Sequence, residues 1–268
     1  MIFQKNLPFT NVAANSVASL ELPIGMTYER LYLVLGGTTF TKALITNIRL
    51  KLNGKIFWEM SATELELIQA YKSATLGVTY AMIDFTELEA KTLGGQYVGS
   101  IGTGAGVTSF VVEVTIGAAT APTLESYSVV SPPTPLGFIN AMLKHTVTFA
   151  AAGTFPVVPP HGAEAGFLIK RVYFMPATAT NLTDIEIKKN GLVIYEKNDF
   201  DISEMLQLSY GRTATAAESM YVYDTILNRD MKQILDTSNA QSLQYNLTVG
   251  AADAVTIYTD CLALLGNV

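Results

Sequence analysis

Alternating apolar and polar positions indicate that this chain is a β protein. Segments rich in β-branched and aromatic residues recur along its length, and several alternate apolar with polar residues, as strands with one buried face do. Asn53-Gly54 and Asn190-Gly191 each separate two such segments and tolerate positive φ, so each predicts a two-residue hairpin turn. The predicted strands are 31–35, 48–52, 55–60, 110–116, 167–174, 185–187, 192–197, 220–223, 243–249 and 255–265.

Each half of the chain also carries a signal for the start of a helix. Ser61 and Glu64 have the spacing of a capping box, in which the two side chains satisfy free N–H groups of the first helical turn. Asp201 and Glu204 repeat that spacing in the second half. A helix is therefore predicted directly after each of these pairs.

Two longer loops are expected to hold the remaining helices. A second helix is predicted from Thr86 to the residue before Gly94, because Thr86 and Glu89 have capping-box spacing. Its counterpart is predicted over residues 226–235. These loops differ most between the halves, so segments 87–106 and 226–240 are predicted to be exposed or to contact neighbouring molecules.

The predicted elements occur twice in the same order. Residues 45–54 resemble residues 182–191, about half of the 268-residue chain further on. The other matching blocks are 30–33 with 171–174, 61–64 with 201–204, 72–75 with 212–215 and 109–117 with 242–250. Such ordered self-similarity indicates a tandem duplication, and each half has the size of an ordinary domain.

A proline-rich segment separates the two copies. Ser131-Pro-Pro-Thr-Pro135 cannot carry a sheet ladder, because proline has no N–H to donate. The chain is therefore predicted to contain an N-terminal domain over residues 1–133 and a C-terminal domain over residues 134–268. Each half offers about eight strands with long crossing loops, so the predicted fold is all-β, with two tandem eight-stranded jelly rolls and a few short helices.

Composition narrows the choice of partners. Charged residues make up 15% of the chain, against about 25% in a typical soluble domain, while 49% are apolar. This balance favours a surface that is buried against other protein molecules. The net charge of −6 without any basic run argues against direct nucleic-acid binding. Residues 1–8 lack the apolar core of a signal peptide.

Residues for catalysis are scarce, and no catalytic or cofactor-binding residue is predicted. His145 and His161 are the only histidines, too few for the histidine-rich metal site of a two-barrel cupin enzyme. Cys261 lies in an apolar run without a nearby histidine, which favours a buried thiol. The Gly102–Gly106 segment lacks the Gly-Lys-Ser/Thr of a phosphate loop, so a flexible surface loop is predicted there.

Acidic residues offer the one remaining type of site. Asp199, Asp201 and Glu204 could bind calcium, but their position favours the start of a helix, where acids are stabilised. Asp84 and Asp224 are the acids that repeat best between the halves. They are interpreted as partners across the two domains, caps at strand ends or oxygen ligands.

Three segments near the N-terminus match a known family: residues 11–16 (NVAANS), 20–29 (LELPIGMTYE) and 45–54 (ITNIRLKLNG). They resemble the N-terminal region of the major capsid proteins of corticoviruses. Together they cover about the first quarter of the chain; beyond it the similarity lies in length, duplicated layout and scattered positions such as 150–156. Corticoviruses are tailless icosahedral bacteriophages with an internal lipid membrane.

The resemblance implies a double jelly-roll major capsid protein. It implies a homotrimer whose six barrels imitate a sixfold tile, with neighbouring capsomers and the vertex, spike and internal membrane proteins of the virion as partners. The protein would be made in the host cytoplasm and reside in the capsid. Structural calcium is also implied by the family, but no ligand residue can be carried over to this sequence.

A receptor- or carbohydrate-binding double β-barrel protein is the alternative. Such a protein would be a small soluble oligomer with exposed aromatic side chains on one loop face. Trp58, the only tryptophan, would suit a sugar platform if it were exposed. Its place directly after the Asn53-Gly54 turn favours packing in the core instead.

Overall fold

A computed structural model describes residues 2–72, 77–160, 162, 166–212 and 219–268 of the chain, and strands dominate them. The strands of the first half are β1 (Ile2–Lys5), β2 (Val17–Glu21), β3 (Thr27–Gly36), β4 (Ile45–Leu52), β5 (Lys55–Met60), β6 (Tyr80–Asp84), β7 (Ile101–Gly102), β8 (Phe110–Ile116) and β9 (Thr123–Ser131). The strands of the second half are β10 (Ile139–Phe149), β11 (Gly153–Val157), β12 (Leu168–Pro176), β13 (Leu182–Lys189), β14 (Leu192–Asp199), β15 (Tyr221–Asp224), β16 (Leu235–Asp236), β17 (Leu243–Val249) and β18 (Asp253–Ala263).

The two halves have the same topology, which confirms the predicted double jelly roll. The first half contains strand orders β1-β9-β3-β6 and β2-β8-β4-β5, and the second contains β10-β18-β12-β15 and β11-β17-β13-β14. Pairs within each order are antiparallel, and β7 and β16 add short antiparallel pairs to β3 and β12. Each strand of the first half therefore has a counterpart nine strands later.

The hairpin turns and the first helix form where the sequence predicts them. Asn53 and Gly54 have φ of 49° and 81°, and Asn190 and Gly191 have φ of 52° and 76°, values that these residue types adopt readily. The first helix, α1 (Ala62–Tyr71), starts at the predicted capping box, in which Ser61 accepts from the Glu64 N–H and Glu64 from the Ser61 N–H.

The predicted start of the helix in the second half is wrong by two residues. This helix is α3 (Phe200–Ser209), and its N-terminal cap is Asp199, which accepts from the Ile202 N–H at 3.0 Å. Asp201 lies inside the first turn instead of capping it. The strand β14 runs on to Asp199, so strand and helix meet without the intervening residues that the pattern suggested.

The second predicted helix is also misplaced. Residues 86–92 are not helical, because Asp84 accepts from the Thr86 N–H and holds the chain in a turn. The helix α2 (Leu93–Tyr97) follows instead, capped by Thr92, and it contains the two glycines that were expected to end a helix. In the second half, only a 3₁₀ turn at Met231–Gln233 forms within residues 226–235.

The two halves are joined by sheet and core as well as by the chain. Strand β5 pairs in parallel with β10 at Trp58 and Met142, so one sheet of each half continues into the other. Buried apolar side chains of both halves form one continuous cluster. No helix in the described ranges is long and apolar enough to cross a membrane.

Residues 132–135 of the proline-rich segment lie between β9 and β10, whereas Ser131 is the last residue of β9. The predicted division at residues 133 and 134 lies in this link. The Thr27 hydroxyl donates to the Pro132 carbonyl at 2.8 Å, and the Gly104 N–H donates to the Thr134 carbonyl at the same distance. The Gly102–Gly106 segment is thus packed against this link. The predicted surface loop is confirmed only for residues 104–106, which are exposed. Gly102 instead belongs to β7 and is buried, and its lack of a side chain permits the close approach of the Thr134 and Pro135 backbone.

Candidate functional site at the joint between the halves

The duplication extends to an ion pair on corresponding strands. Arg30 on β3 lies opposite Asp84 on β6, and Arg171 on β12 lies opposite Asp224 on β15. In both pairs Nε lies 3.1 Å from Oδ2. A β-sheet places directly opposed side chains on the same face, so the repeated register produces the repeated pair.

In the second half this pair belongs to a buried ionic cluster that spans both halves. We call it the joint cluster; it consists of Lys72 and Glu87 from the first half and Lys170, Arg171, Asp224 and Asp260 from the second. Glu87 lies 2.8 Å from both Lys170 Nζ and Arg171 Nη1. These contacts tie a loop of the first half to a central strand of the second.

The remaining contacts close the joint cluster around Asp260. Its carboxylate lies 2.8 Å from Lys170 Nζ, 3.2 Å from Arg171 Nη1 and 3.4 Å from Lys72 Nζ. The side chains of Lys170 and Asp260 are fully buried. A buried charge is costly unless it is paired and hydrogen-bonded, so the cluster is stable only while its cations and carboxylates stay together.

The charges of the joint cluster shift the acidity of its members. Burial alone would raise the pKa of Glu87, but the Arg171 and Lys170 cations outweigh it and hold that pKa well below 4.5. Burial likewise acts to raise the pKa of Asp260, and Lys170 and Lys72 hold it below 3.8. Both carboxylates are therefore ionised at neutral pH, as their ion pairs require.

Aromatic packing surrounds the charges at the C-terminal end of α1. The Tyr71 ring meets Tyr173 edge-on at 6.1 Å, and its hydroxyl donates to Asp224 Oδ2 at 3.1 Å. The Arg212 guanidinium lies over the Tyr71 ring at 5.8 Å, pairs with Glu89 at 2.7 Å and lies 3.4 Å from Asp224. The end of α1 is thus seated in the second half by stacking, hydrogen bonding and charge together.

Asp84 and Asp224 are strand-end caps with cationic partners, one of the interpretations that the sequence left open. Each accepts from the backbone N–H two residues further on, at Thr86 and Ile226. Asp224 in addition contacts Tyr71 of the other half, whereas Asp84 pairs with Arg30 of its own half. Their roles are therefore structural.

The other acids singled out do not form a metal site. Asp199 is occupied as a helix cap, and within the described ranges no group of three or more His, Cys, Asp or Glu side chains is placed to hold a metal ion. The structural calcium that the resemblance implies stays a prediction, with no ligand residue assigned to it. His145 lies on β10, and His161 lies outside the described residues.

Trp58 and Cys261 are core residues, as predicted. Trp58 is 2% exposed and meets the Phe85 ring edge-on at 6.0 Å. Cys261 is fully buried, and burial raises the pKa of its thiol, which leaves it protonated and unreactive. Neither residue offers a sugar platform or a nucleophile.

Sequence reasoning missed Glu87, Lys170 and Asp260. Glu87 was placed in an exposed loop, but the residue is only 9% exposed. A signal was present in Lys170-Arg171, two adjacent cations within the apolar strand β12, and in Asp260 within the apolar strand β18. Charges inside a buried strand indicate a paired cluster, because unpaired ones would not be tolerated there.

Solved structures of viral capsid proteins share this architecture. The crystal structure of the major capsid protein P2 from bacteriophage PM2 is similar, with 21% identity, a TM-score of 0.88 and coverage of 98% of this chain and 97% of that one. The STIV MCP crystal structure has 13% identity, a TM-score of 0.70 and coverage of 98% and 96%. The PBCV-1 virus capsid has 12% identity, a TM-score of 0.65 and coverage of 97% of this chain and 92% of that one. These likenesses establish the double jelly-roll fold.

Family models identify both halves. A model described as the viral coat protein P2 N-terminal domain matches residues 3–131, and one described as the viral coat protein P2 C-terminal domain matches residues 139–265. No curated protein sequence is significantly similar. Because the two models together match all but the termini and the link between the halves, the chain belongs to the viral coat protein P2 family, whose members are structural proteins of the virion capsid and not enzymes.

Proposed function

We propose that three copies of this coat protein assemble into a capsomer of six barrels, which tiles an icosahedral shell around an internal membrane. The duplication carries this proposal. Two halves with the same topology, turns and ion pairs make one chain equivalent to two similar building blocks, so a threefold ring presents six of them. A closed ring of this kind needs only one repeated contact between copies.

The surface of the chain supports assembly. Large apolar side chains are exposed on β1, on α3 and on loops of both halves, and contiguous apolar surface of this kind marks protein interfaces. The joint cluster holds the two halves in one fixed arrangement, as a tile requires. Neighbouring capsomers, spike proteins and internal membrane proteins are the further partners that we expect.

Mass in solution tests the proposal. Light scattering coupled to size exclusion should give three times the chain mass of 28.9 kDa, and negative-stain averages should show a six-lobed outline. A stable monomer or dimer at micromolar concentration would contradict the capsomer.

A chelator arm of the same measurement tests calcium. We expect the trimer mass to be unchanged in EDTA, because Glu87, Asp224 and Asp260 are paired with cations and Asp199 caps α3. A mass that falls in EDTA and recovers with added calcium would show that calcium holds the copies together.

The receptor- or sugar-binding alternative is not favoured. It predicted exposed aromatic side chains on one loop face, and its candidate sugar platform, Trp58, is a β5 residue that is 2% exposed and packs edge-on against Phe85.

A further inference from the structure

The contact between the two halves indicates which surfaces meet between copies. Inside the chain, β5 of the first half pairs with the edge of β10. The C-terminal end of α1 lies on β12 and β18, where Tyr71 meets Tyr173 and Lys72 lies 3.4 Å from Asp260. At this contact Trp58 pairs with Met142, and the two side chains are 2% and 1% exposed. If the same contact is repeated around a ring, both of its surfaces must also occur uncovered on the single chain.

A repeated cation–aromatic contact aligns the covered face with its counterpart in the first half. The Lys5 ammonium lies over the Tyr127 ring at 5.8 Å, and the Lys144 ammonium lies over the Tyr258 ring at 5.7 Å. Each lysine is directly opposite its tyrosine in the sheet register. The outer faces of β1, β9 and β3 and of β10, β18 and β12 therefore correspond residue by residue.

This counterpart face is open. Phe3 corresponds to Met142, since each lies two residues before the aligned lysine, but Phe3 is 62% exposed. Its ring stacks on Tyr127 at 5.5 Å and meets Tyr32 edge-on at 6.1 Å. Phe3, Tyr32 and Tyr127 form what we call the Phe3 patch, an aromatic surface at the position that the first half covers in the second.

The opposite side of the second half carries the corresponding cover. Strand β14 and helix α3 correspond to β5 and α1, and β14 is the terminal strand of its sheet. The helix α1 turns Leu65, Ile68 and Tyr71 inward, whereas α3 presents apolar side chains to solvent. These side chains, the α3 face, are Ile202 (48% exposed), Met205 (63%), Leu206 (44%), Leu208 (49%) and Tyr210 (47%).

Two charged residues of the internal contact correspond to uncharged residues at the matching positions of the other half. Asp260 on β18 and Val129 on β9 lie opposite the corresponding arginines of β12 and β3. Lys72 and Tyr210 are the C-terminal caps of α1 and α3, so the helices of the structure align two residues away from the sequence match of 72–75 with 212–215. Inside the chain Lys72 meets Asp260 at 3.4 Å. The corresponding positions hold Tyr210, which is 47% exposed, and Val129, which is 6% exposed beneath the Phe3 patch. An ionic contact is thus matched by an apolar one.

We infer that the α3 face and the edge of β14 of one copy dock on the Phe3 patch and the edge of β1 of a second copy. The contact is head-to-tail, because the two surfaces lie on different halves, so each copy uses one surface for each neighbour and a ring can close. Apolar side chains on both sides supply the burial that a permanent interface needs. This inference rests on the proposed trimer and names its contact.

Two complementary variants test the inference. Phe3→Asp alters one surface, and Ile202→Asp combined with Met205→Asp alters the other. Val158→Asp is the matched control, since Val158 is 64% exposed just after β11, at the far edge of the same sheet from β14. Central apolar contacts typically weaken binding by about 30-fold or more when lost, and a ring contains three such contacts.

Sedimentation velocity at micromolar concentration gives the readout. The unaltered protein and Val158→Asp should be trimers, and each interface variant alone should be a monomer. An equimolar mixture of the two should form dimers, because one intact contact remains and a ring cannot close. Circular dichroism melting checks folding, and Phe3→Ser and Met205→Gln replace any charged variant that unfolds.

The failures are distinguishable. If the unaltered protein is a monomer, the proposed capsomer itself is wrong. If the unaltered protein is a trimer and either interface variant stays a trimer, the assigned surfaces are wrong. A mixture that stays monomeric would show that these two surfaces do not meet each other.

Discussion

The two arginine–aspartate pairs have the same geometry and different surroundings. Arg30–Asp84 and Arg171–Asp224 lie on corresponding strands at the same 3.1 Å distance. The side chains of the first pair are 25% and 17% exposed, and those of the second are 2% and 1% exposed. The second pair is covered by the first half of the chain, which adds Glu87 and Tyr71 to it. Duplication thus supplied the pair, and packing of one half on the other decided its energetic role.

Replacing Arg171 and replacing Arg30 should give the largest difference in stability between the two arginine–aspartate pairs. Arg171→Ala removes the one cation that contacts Glu87, Asp224 and Asp260 together, and loss of one partner from a buried pair costs about 3–5 kcal/mol. Arg30→Ala breaks a partly solvated pair and should cost about 1 kcal/mol or less. Guanidinium unfolding of both variants at one protein concentration measures the difference. Equal losses of unfolding free energy in the two variants would mean that burial between the halves does not increase what the arginine contributes to stability.

Acidification should weaken the joint cluster through Glu87. Burial opposes ionisation of Glu87, but Arg171 and Lys170 hold its pKa well below 4.5, so the unfolded chain binds the proton more readily. Its contribution to stability is therefore complete above about pH 4.5 and is lost as pH falls through the lower folded pKa. The unfolding free energy of the unaltered protein should fall more steeply between about pH 5 and pH 3 than that of Glu87→Gln. Parallel curves would contradict this role.

Local patterns explain why so much of the fold was predictable from sequence. The turns at Asn53-Gly54 and Asn190-Gly191 and the capping box at Ser61 depend on a few adjacent residues, and alternation fixes which face of a strand is buried. The start of α3 was missed because Asp199 and Asp201 can both cap a helix. The extension of β14 chooses between them, and this depends on pairing with a distant strand.

The joint cluster could not be predicted in the same way. Glu87 lies in a loop, and its partners Lys170 and Arg171 lie in the other half, more than 80 residues away. No local pattern brings these side chains together, because their contact depends on how the two jelly rolls pack. Two adjacent cations in an apolar strand do predict that carboxylates lie nearby, but not which ones.

The smallest effect is expected from Tyr71→Phe, which removes a single hydroxyl group from the contact between the halves. Tyr71→Phe removes the hydroxyl that donates to Asp224 and keeps the ring against Tyr173, so Asp224 retains Arg171 and Arg212 but loses one hydrogen bond. A hydrogen bond to a charged group contributes about 1.5–3 kcal/mol, and the two remaining cations should keep the loss near the lower bound. Urea unfolding of Tyr71→Phe, of Asp224→Asn and of the double variant gives the coupling between the two groups. A coupling near zero would mean that the Tyr71 hydroxyl does not stabilise Asp224. The ring alone would then hold the end of α1 against the second half, and only the arginine and lysine cations would stabilise the carboxylates of the joint cluster.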